Sequence, residues 1–359
     1  MKNVKLSNGV EMPILGFGVY QIDDLKECER VVSEAIEVGY RLIDTAQIYR
    51  NEEAVGNAIK KSGVNRKEFF ITTKVWITNS GYEKAKASIE ESLKKLQTDY
   101  IDLLLIHQPF GDYYGTYRAM EEYYKAGKLR AIGVSNFYPD RFIDIAHFFE
   151  IKPMVNQVET HVFNQQIIPQ GIMKEYGTQI ESWGPFAEGK NNLFTNETLV
   201  EVSKKYNKTA AQVALRYLIQ RDIVVIPKTV RKERMIQNFD VFNFELSEND
   251  MKEILKLDKK ESLFLSHYDP ESVNYLVNNQ DIMVVHLHLK EGETIAPHNH
   301  PGRRIFFTVV EGEVEVYLNE EETYPLVPKK VLDFDGQARI SVKALKESDI
   351  FVYLVVKRN

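Results

Sequence analysis

The sequence predicts an α/β chain in which a (β/α)8 TIM barrel is followed by a small all-β barrel. Short apolar runs that end in polar residues alternate with charged, helically periodic segments, and eight such units favour a closed barrel over an open sheet. The 359 residues also exceed the ~250 typical of one barrel, so a second unit is expected. Beyond about residue 278 the pattern changes to alternating strand candidates, DIMVVHLHLK, TIAPHNH, RRIFFTVVEG, EVEVYLN and SDIFVYLVVK, separated by turn residues. The predicted domains are 1–278 and 279–359.

In order, VKLSNGVEMP opens the chain with two extended pieces around Asn8-Gly9, a dipeptide that favours a tight hairpin turn. Barrel strands are predicted near 14–19, 40–44, 69–73, 101–106, 130–134, 154–158, 179–182 and 223–226. The helices between them include 25–38, 82–96, 116–126 and 198–220. GFGVYQ, which closes the first strand, lacks the G-x-G-x-x-G spacing, so a dinucleotide would not be held in the Rossmann manner.

Composition narrows the classes. Hydrophobic residues at 43% and charged residues at 27% fit a soluble globular protein with a large core. No run of about 18 apolar residues occurs and MKNVKLSNGVEMP lacks an apolar signal core, so no membrane partner and a cytoplasmic location are expected. The only cysteine, Cys28, cannot form an intrachain disulfide, which fits a reducing compartment. The net charge of −6 is spread evenly along the chain, with no basic patch of the kind that binds nucleic acid.

The stretch RLIDTAQIYRNEEAVG holds Asp44 at the end of an apolar run and Tyr49 just beyond; Lys74 ends FFITTK and His107 ends IDLLLIH. All four fall where a strand gives way to a loop, and in a (β/α)8 barrel those ends converge on one face. There Asp44 would keep Lys74 charged, and Lys74 would lower the pKa of Tyr49. His107 would orient a substrate carbonyl oxygen, and Tyr49 would protonate it as hydride arrives at carbon.

Taken together, GFGVYQ, RLIDTAQIYRNEEAVG, ITTKVW, DLLLIHQP and GVSNF resemble the aldo-keto reductases, in particular the bacterial branch that includes 2,5-diketo-gluconate reductases. The resemblance covers about the first 275 residues, with the motifs in the family's order. It implies NADPH as cofactor and a small-molecule carbonyl substrate. In IPKTVRKERMIQNF, cations around a predicted helix start form an anion site. The resemblance assigns Lys228, Thr229 and Arg234 to the adenosine 2′-phosphate and Gln237 with Asn238 to the adenine. It assigns Ser135, Asn136 and Gln157 to the nicotinamide carboxamide, and Trp183 to stacking on the ring. Tyr20, Trp76 and Phe110 would wall the substrate pocket, and the connection after His107 is short, so the family's long specificity loop is reduced.

The C-terminal GETIAPHNHPGRRIFFTVVEG resembles the first cupin motif, with two departures. Ile305 stands where a glutamate ligand is expected, and FDGQARISVKALKESD lacks the second motif's histidine. Three readings stay open for this degenerate module. It is a metal-free barrel for homo-oligomerisation or for an acidic ligand held by Arg303 and Arg304; a metal site rebuilt from His298 and His300 with His286 or His288; or a structural extension. For the whole chain, the alternatives to a reductase are a bifunctional enzyme with a metal-dependent cupin site, such as a sugar isomerase, and a non-catalytic NADPH-binding sensor.

Overall fold

A computed structural model describes residues 2–259, 274–278 and 282–357. The chain separates into two compact units, Met1–Leu263 and Phe264–Asn359.

The first unit opens with a hairpin of β1 (Asn3–Lys5) and β2 (Glu11–Pro13), paired antiparallel. Its turn needs Gly9, at φ 88°, a conformation that a side chain disfavours. Asn8 Nδ2 donates to the carbonyl of Arg130, at the start of a barrel strand, which seats the hairpin at the N-terminal end of the barrel. Eight parallel strands follow: β3 (Gly16–Gly18), β4 (Leu42–Asp44), β5 (Phe70–Val75), β6 (Ile101–Ile106), β7 (Leu129–Ser135), β8 (Val155–Glu159), β9 (Gln179–Trp183) and β10 (Val224–Val225). They neighbour one another in sequence order, and a parallel bridge between Leu15 and Val225 closes the ring. Every residue of β5 and β6 is buried, the mark of strands covered on both faces.

The helices are α1 (Leu25–Val38), α2 (Glu52–Lys61), α3 (Tyr82–Leu96), α4 (Tyr113–Lys125), α5 (Pro139–Phe148), α6 (Ile167–Glu175), α7 (Glu197–Tyr206), α8 (Ala210–Gln220), α9 (Lys232–Phe239) and α10 (Glu248–Leu255). α1 shows why they form: Asp24 caps the amide of Glu27, and Cys28, Val31, Val32, Ala35 and Ile36 bury one face at helical spacing. The single helix expected over 198–220 is two. Asn207 takes the left-handed conformation that ends α7, and Thr209 with Gln212 forms a capping box that starts α8. The aromatic helix starts three residues before the expected 116, and its Tyr113, Tyr117 and Tyr123 are buried in the barrel wall.

The second unit is all β. β11 (Asn274–Asn278), β12 (Ile282–Leu289), β13 (Thr294–His298), β14 (Arg303–Glu311), β15 (Val314–Leu318), β16 (Glu322–Leu326), β17 (Val331–Asp335), β18 (Ile340–Ala344) and β19 (Ser348–Val356) form two antiparallel sheets. Their orders are β11-β12-β19-β14-β17 and β13-β18-β15-β16. β11 pairs with β12, so residues 274–278, which the expected boundary leaves in the first domain, form a strand of the second unit's sheet. The buried hydrophobic residues of this unit form one core cluster, including Val285, Ile305, Phe307, Val316, Val342 and Val352. Between β14 and β15, Gly312 sits at φ 90°, and a Cβ there would lie 2.3 Å from the Glu347 carbonyl oxygen.

Candidate active site

The four polar residues expected at the strand ends meet at the C-terminal end of the barrel. Asp44 ends β4, Lys74 lies one residue before the end of β5, and His107 directly follows β6. Tyr49 ends the short 3-10 turn Gln47–Tyr49. Asn51 holds that turn: it accepts from Thr45 Oγ1 at 2.7 Å and donates to the carbonyl of Val19 at 3.0 Å, tying the loops after β3 and β4 together.

Lys74 is fully buried and donates to Asp44 Oδ1 at 2.6 Å and to the Thr45 carbonyl at 3.0 Å. Its Nζ lies 3.5 Å from the Tyr49 hydroxyl, at the outer edge of hydrogen bonding. Burial works against the Lys74 charge, but Asp44, Tyr49 and Glu181 together outweigh it and hold the ammonium above its ordinary value. Burial likewise raises the Asp44 carboxyl, against the pull of Lys74 and Gln157.

Tyr49 departs from the expectation of a lowered pKa. Its ring packs against Tyr20 at 4.9 Å and His107 at 5.6 Å, and this burial pushes the phenol up to about 12 while Lys74 only moderates the rise. The phenol therefore stays protonated and available as a donor. His107 is held well below its usual range, first by burial and then by Lys74, so its imidazole is neutral. Its Nδ1 is buried with no hydrogen-bond partner among the described residues.

Of the residues expected to wall the substrate, Trp76 packs edge-on to His107 at 5.0 Å, and Tyr20 stands beside Tyr49 with half its surface exposed. Phe110 is equally exposed on the six-residue connection, 107–112, between β6 and α4, a short loop. No aromatic contact ties Phe110 to the cluster among the described residues.

The nicotinamide candidates line the adjoining strand ends. Asn136, at φ 61°, accepts from Trp183 Nε1 at 2.8 Å and donates to the His107 carbonyl at 3.1 Å and to Ser135 Oγ at 3.2 Å. It thus braces β6, β7 and β9 against one another. Gln157 is buried, and its Nε2 donates to Asp44 Oδ2 at 2.8 Å and to Glu181 Oε2 at 3.0 Å. Glu181, fully buried on β9, had not been singled out; the signal was an acid two residues before Trp183 in QIESW, on the same side of the strand.

After β10, Lys228 reaches the Gln21 carbonyl at 3.4 Å, Thr229 Oγ1 accepts from the Arg231 amide at 3.2 Å, and Arg234 lies exposed in the first turn of α9. Gln237 is exposed and Asn238 buried on the same helix.

The C-terminal histidines fall in two separate groups. His286 and His288 alternate with the core residues Val285 and Leu289, so they face away from the core, where both bond Asp349 Oδ1 at 3.1 Å. His298 and His300 pack ring edge to face at 5.0 Å, and His298 Nδ1 bonds the Ala296 carbonyl. Among the described residues no three histidine, cysteine or acidic side chains are arranged to hold a metal ion. The two arginines proposed for an acidic ligand are engaged within the protein: Arg304 grips Asp333 with two bonds at 2.8 and 2.6 Å, and Arg303 donates to the Leu354 carbonyl at 3.1 Å.

Comparison with known proteins agrees with this geometry. The pattern of the Aldo/keto reductase family matches residues 15–259, and that of the Cupin domain matches residues 285–355. Glyoxal reductase of Bacillus subtilis (strain 168) is 50% identical over 259 residues, covering 72% of this chain and 93% of that protein. Methylglyoxal reductase DkgA of Escherichia coli (strain K12) is 40% identical over 263 residues, covering 72% and 94%. Among solved structures, an aldo-keto reductase from a Medee basin deep-sea metagenome library is 45% identical with a TM-score of 0.72, covering 76% of this chain and 100% of its own. A Bombyx mori aldo-keto reductase in complex with NADP is 33% identical with a TM-score of 0.69, covering 73% and 94%. An aspartate, a lysine, a tyrosine and a neutral histidine gathered at a barrel mouth, in a chain so matched, lead to one conclusion: this protein is an oxidoreductase that belongs to the aldo/keto reductase family and carries a cupin domain at its C-terminus.

Proposed function

We propose that the barrel reduces small aldehydes and ketones, with 2-oxoaldehydes such as glyoxal and methylglyoxal foremost, taking hydride from NADPH and a proton from Tyr49. The observation that carries this reading is Lys74, sealed in the barrel between Asp44 at 2.6 Å and the Tyr49 hydroxyl at 3.5 Å, with neutral His107 beside the phenol. The substrate class follows the names of the relatives and the short connection after His107, which leaves Tyr20, Trp76 and Phe110 as the apolar rim.

The residues present fit the cofactor. Lys232 is paired with Glu37, whereas Lys228, Arg231 and Arg234 have no acidic partner among the described residues. Free cations at a helix start suit a phosphate, and here Lys228, Thr229 and Arg234 would hold the 2′-phosphate while Gln237 and Asn238 flank the adenine. Trp183, pinned through its Nε1 by Asn136, would stack on the nicotinamide, and Ser135, Asn136 and Gln157 line the carboxamide end. NADPH, when bound, supplies the hydride. His107, uncharged, donates an N–H to the carbonyl oxygen and fixes its direction. Tyr49 passes its proton to that oxygen, and the phenolate left behind is stabilised by the Lys74 ammonium, itself neutralised by Asp44.

The test is the initial rate of cofactor oxidation against a panel of 2-oxoaldehydes, simple aldehydes, ketones and keto-sugars, run with NADPH and with NADH. The reading expects 2-oxoaldehydes to lead the panel and NADPH to be preferred in kcat/KM. Arg234→Ala should erode that preference about tenfold or more, the scale of one charge-assisted contact to phosphate. Equal kcat/KM for the two cofactors, or an unchanged ratio in the variant, would remove the phosphate assignment.

A further inference from the structure

A second buried carboxyl lies under the site, and the mechanism above does not use it. Glu181 sits at the middle of β9 with no exposed surface, paired in register with Gln157 on β8 and Val224 on β10. Its Oε2 accepts from Gln157 Nε2 at 3.0 Å, and the same nitrogen donates to Asp44 Oδ2 at 2.8 Å. Asp44 in turn holds Lys74, and Lys74 reaches Tyr49. A continuous line therefore runs Glu181–Gln157–Asp44–Lys74–Tyr49 across the barrel interior. Both hydrogens of the Gln157 amide point at carboxyl groups, which leaves its carbonyl oxygen as the end available to a ligand.

We propose that Glu181 is a positioning residue of this site: with Asp44 it grips the Gln157 amide so that the Gln157 carbonyl faces the cofactor, and it sets a second carboxyl beside the Asp44–Lys74 pair. Two carboxyls within reach of one nitrogen and one ammonium cannot both be charged at low cost, so one retains its proton. Burial, and then the Asp44 charge, raise Glu181 to about 8, which makes it the protonated partner at neutral pH. Its Oε1 is buried without a hydrogen-bond partner among the described residues.

The charged and titratable groups set around Glu181 are Asp44 from β4 and Lys74 from β5, with Tyr49 and His107 beyond them at the mouth; its register partners are Gln157 and Val224, and two residues along β8 from Gln157 lies the buried Glu159, paired with His161 at 2.8 Å. When Glu181 ionises, the interior gains a negative charge. That charge opposes the effect of Lys74 on the phenol and makes Tyr49 a weaker donor. It also favours a positively charged nicotinamide over a neutral one on Trp183, which lies two residues along the same strand face.

The experiment compares the wild type with Glu181→Gln, which keeps an acceptor for Gln157 but cannot ionise. kcat is followed from pH 6 to 9.5, and the dissociation constants of NADP+ and NADPH are measured through tryptophan fluorescence over the same range. In the wild type, kcat falls above about pH 8 and the ratio of the NADP+ to the NADPH dissociation constant drops by several-fold; in Glu181→Gln both changes vanish. Superimposable profiles for the two proteins overturn the proposal. Infrared spectroscopy of the wild type gives a check that needs no variant: a protonated carboxyl C=O stretch persists at pH 7 and disappears above about 8, and its absence at pH 7 also overturns the proposal. The inference rests on the reductase reading, and the two fail separately. Turnover that survives in Tyr49→Phe sinks the reading itself; turnover lost there, with Glu181→Gln matching the wild type, sinks only the role of Glu181.

Discussion

At the scale of the residue, the barrel interior holds a small set of buried ionisable groups, so each depends on its partner. Lys74→Met leaves Asp44 buried with no cation. The expected loss is about 3–5 kcal/mol of stability, the usual cost of breaking a buried pair, together with loss of turnover. A thermal melt that matches the wild type would show that Asp44 does not need the ammonium. Glu181 gives stability a pH slope of definite sign. The unfolded chain releases this proton near 4.5 and the folded chain near 8, so between those values the folded state binds more protons and loses stability as pH rises. Glu181→Gln should therefore gain in Tm relative to the wild type from pH 5 to pH 8, and a constant difference would contradict the assignment. Asp44, Lys74 and His107 were legible in the sequence because each follows an apolar run, and Tyr49 because it lies one short turn past Asp44. Glu181 was not, because an acid inside QIESW declares itself only when the barrel register turns it inward beside Gln157. The high pKa of Tyr49 was equally hidden, since it comes from rings contributed by Tyr20 and His107.

Elements obey local chemistry first. The helix expected over 198–220 breaks because Asn207 accepts a left-handed conformation and Thr209 offers a cap, two signals present in YNKTAAQ but masked by the apolar periodicity on either side. Thr209→Ala should cost about 1 kcal/mol, read as a lower Tm with cofactor affinity unchanged, because α8 lies outside the site. No change in Tm would mean that the capping box contributes nothing. Strands β16, β17 and β18 carried a weaker sequence signal than β12, β14 and β19. Their exposed positions include Glu322, Asp333, Asp335 and Lys343, and among their residues Leu326, Ile340, Val342 and Ala344 are the ones deeply buried in the second core.

For the whole molecule, the family shows in the sequence because a barrel gathers its chemistry at strand ends, whereas a cupin's chemistry depends on side chains inside its core. Here Ile305 is 1% exposed among the core residues Phe307 and Leu354, and among the described residues His286 and His288 gather on Asp349 while His298 and His300 pack on each other. Carbonyl reduction should accordingly be indifferent to metal: dialysis against a chelator leaves the rate unchanged, and a loss restored by a first-row metal ion would reopen the metal-dependent reading of the second unit.

The central claim is that the barrel is a working reductase with Tyr49 as its acid. The most direct measurement is NADPH oxidation with methylglyoxal by the wild type and by Tyr49→Phe, alongside NADPH binding to both. The account predicts equal binding and a fall in turnover of about 100-fold or more in the variant, the scale set by removing a proton donor from the transition state. Full turnover without the phenol would contradict the role of Tyr49, and binding with no turnover in either protein would leave the barrel a nucleotide-binding sensor.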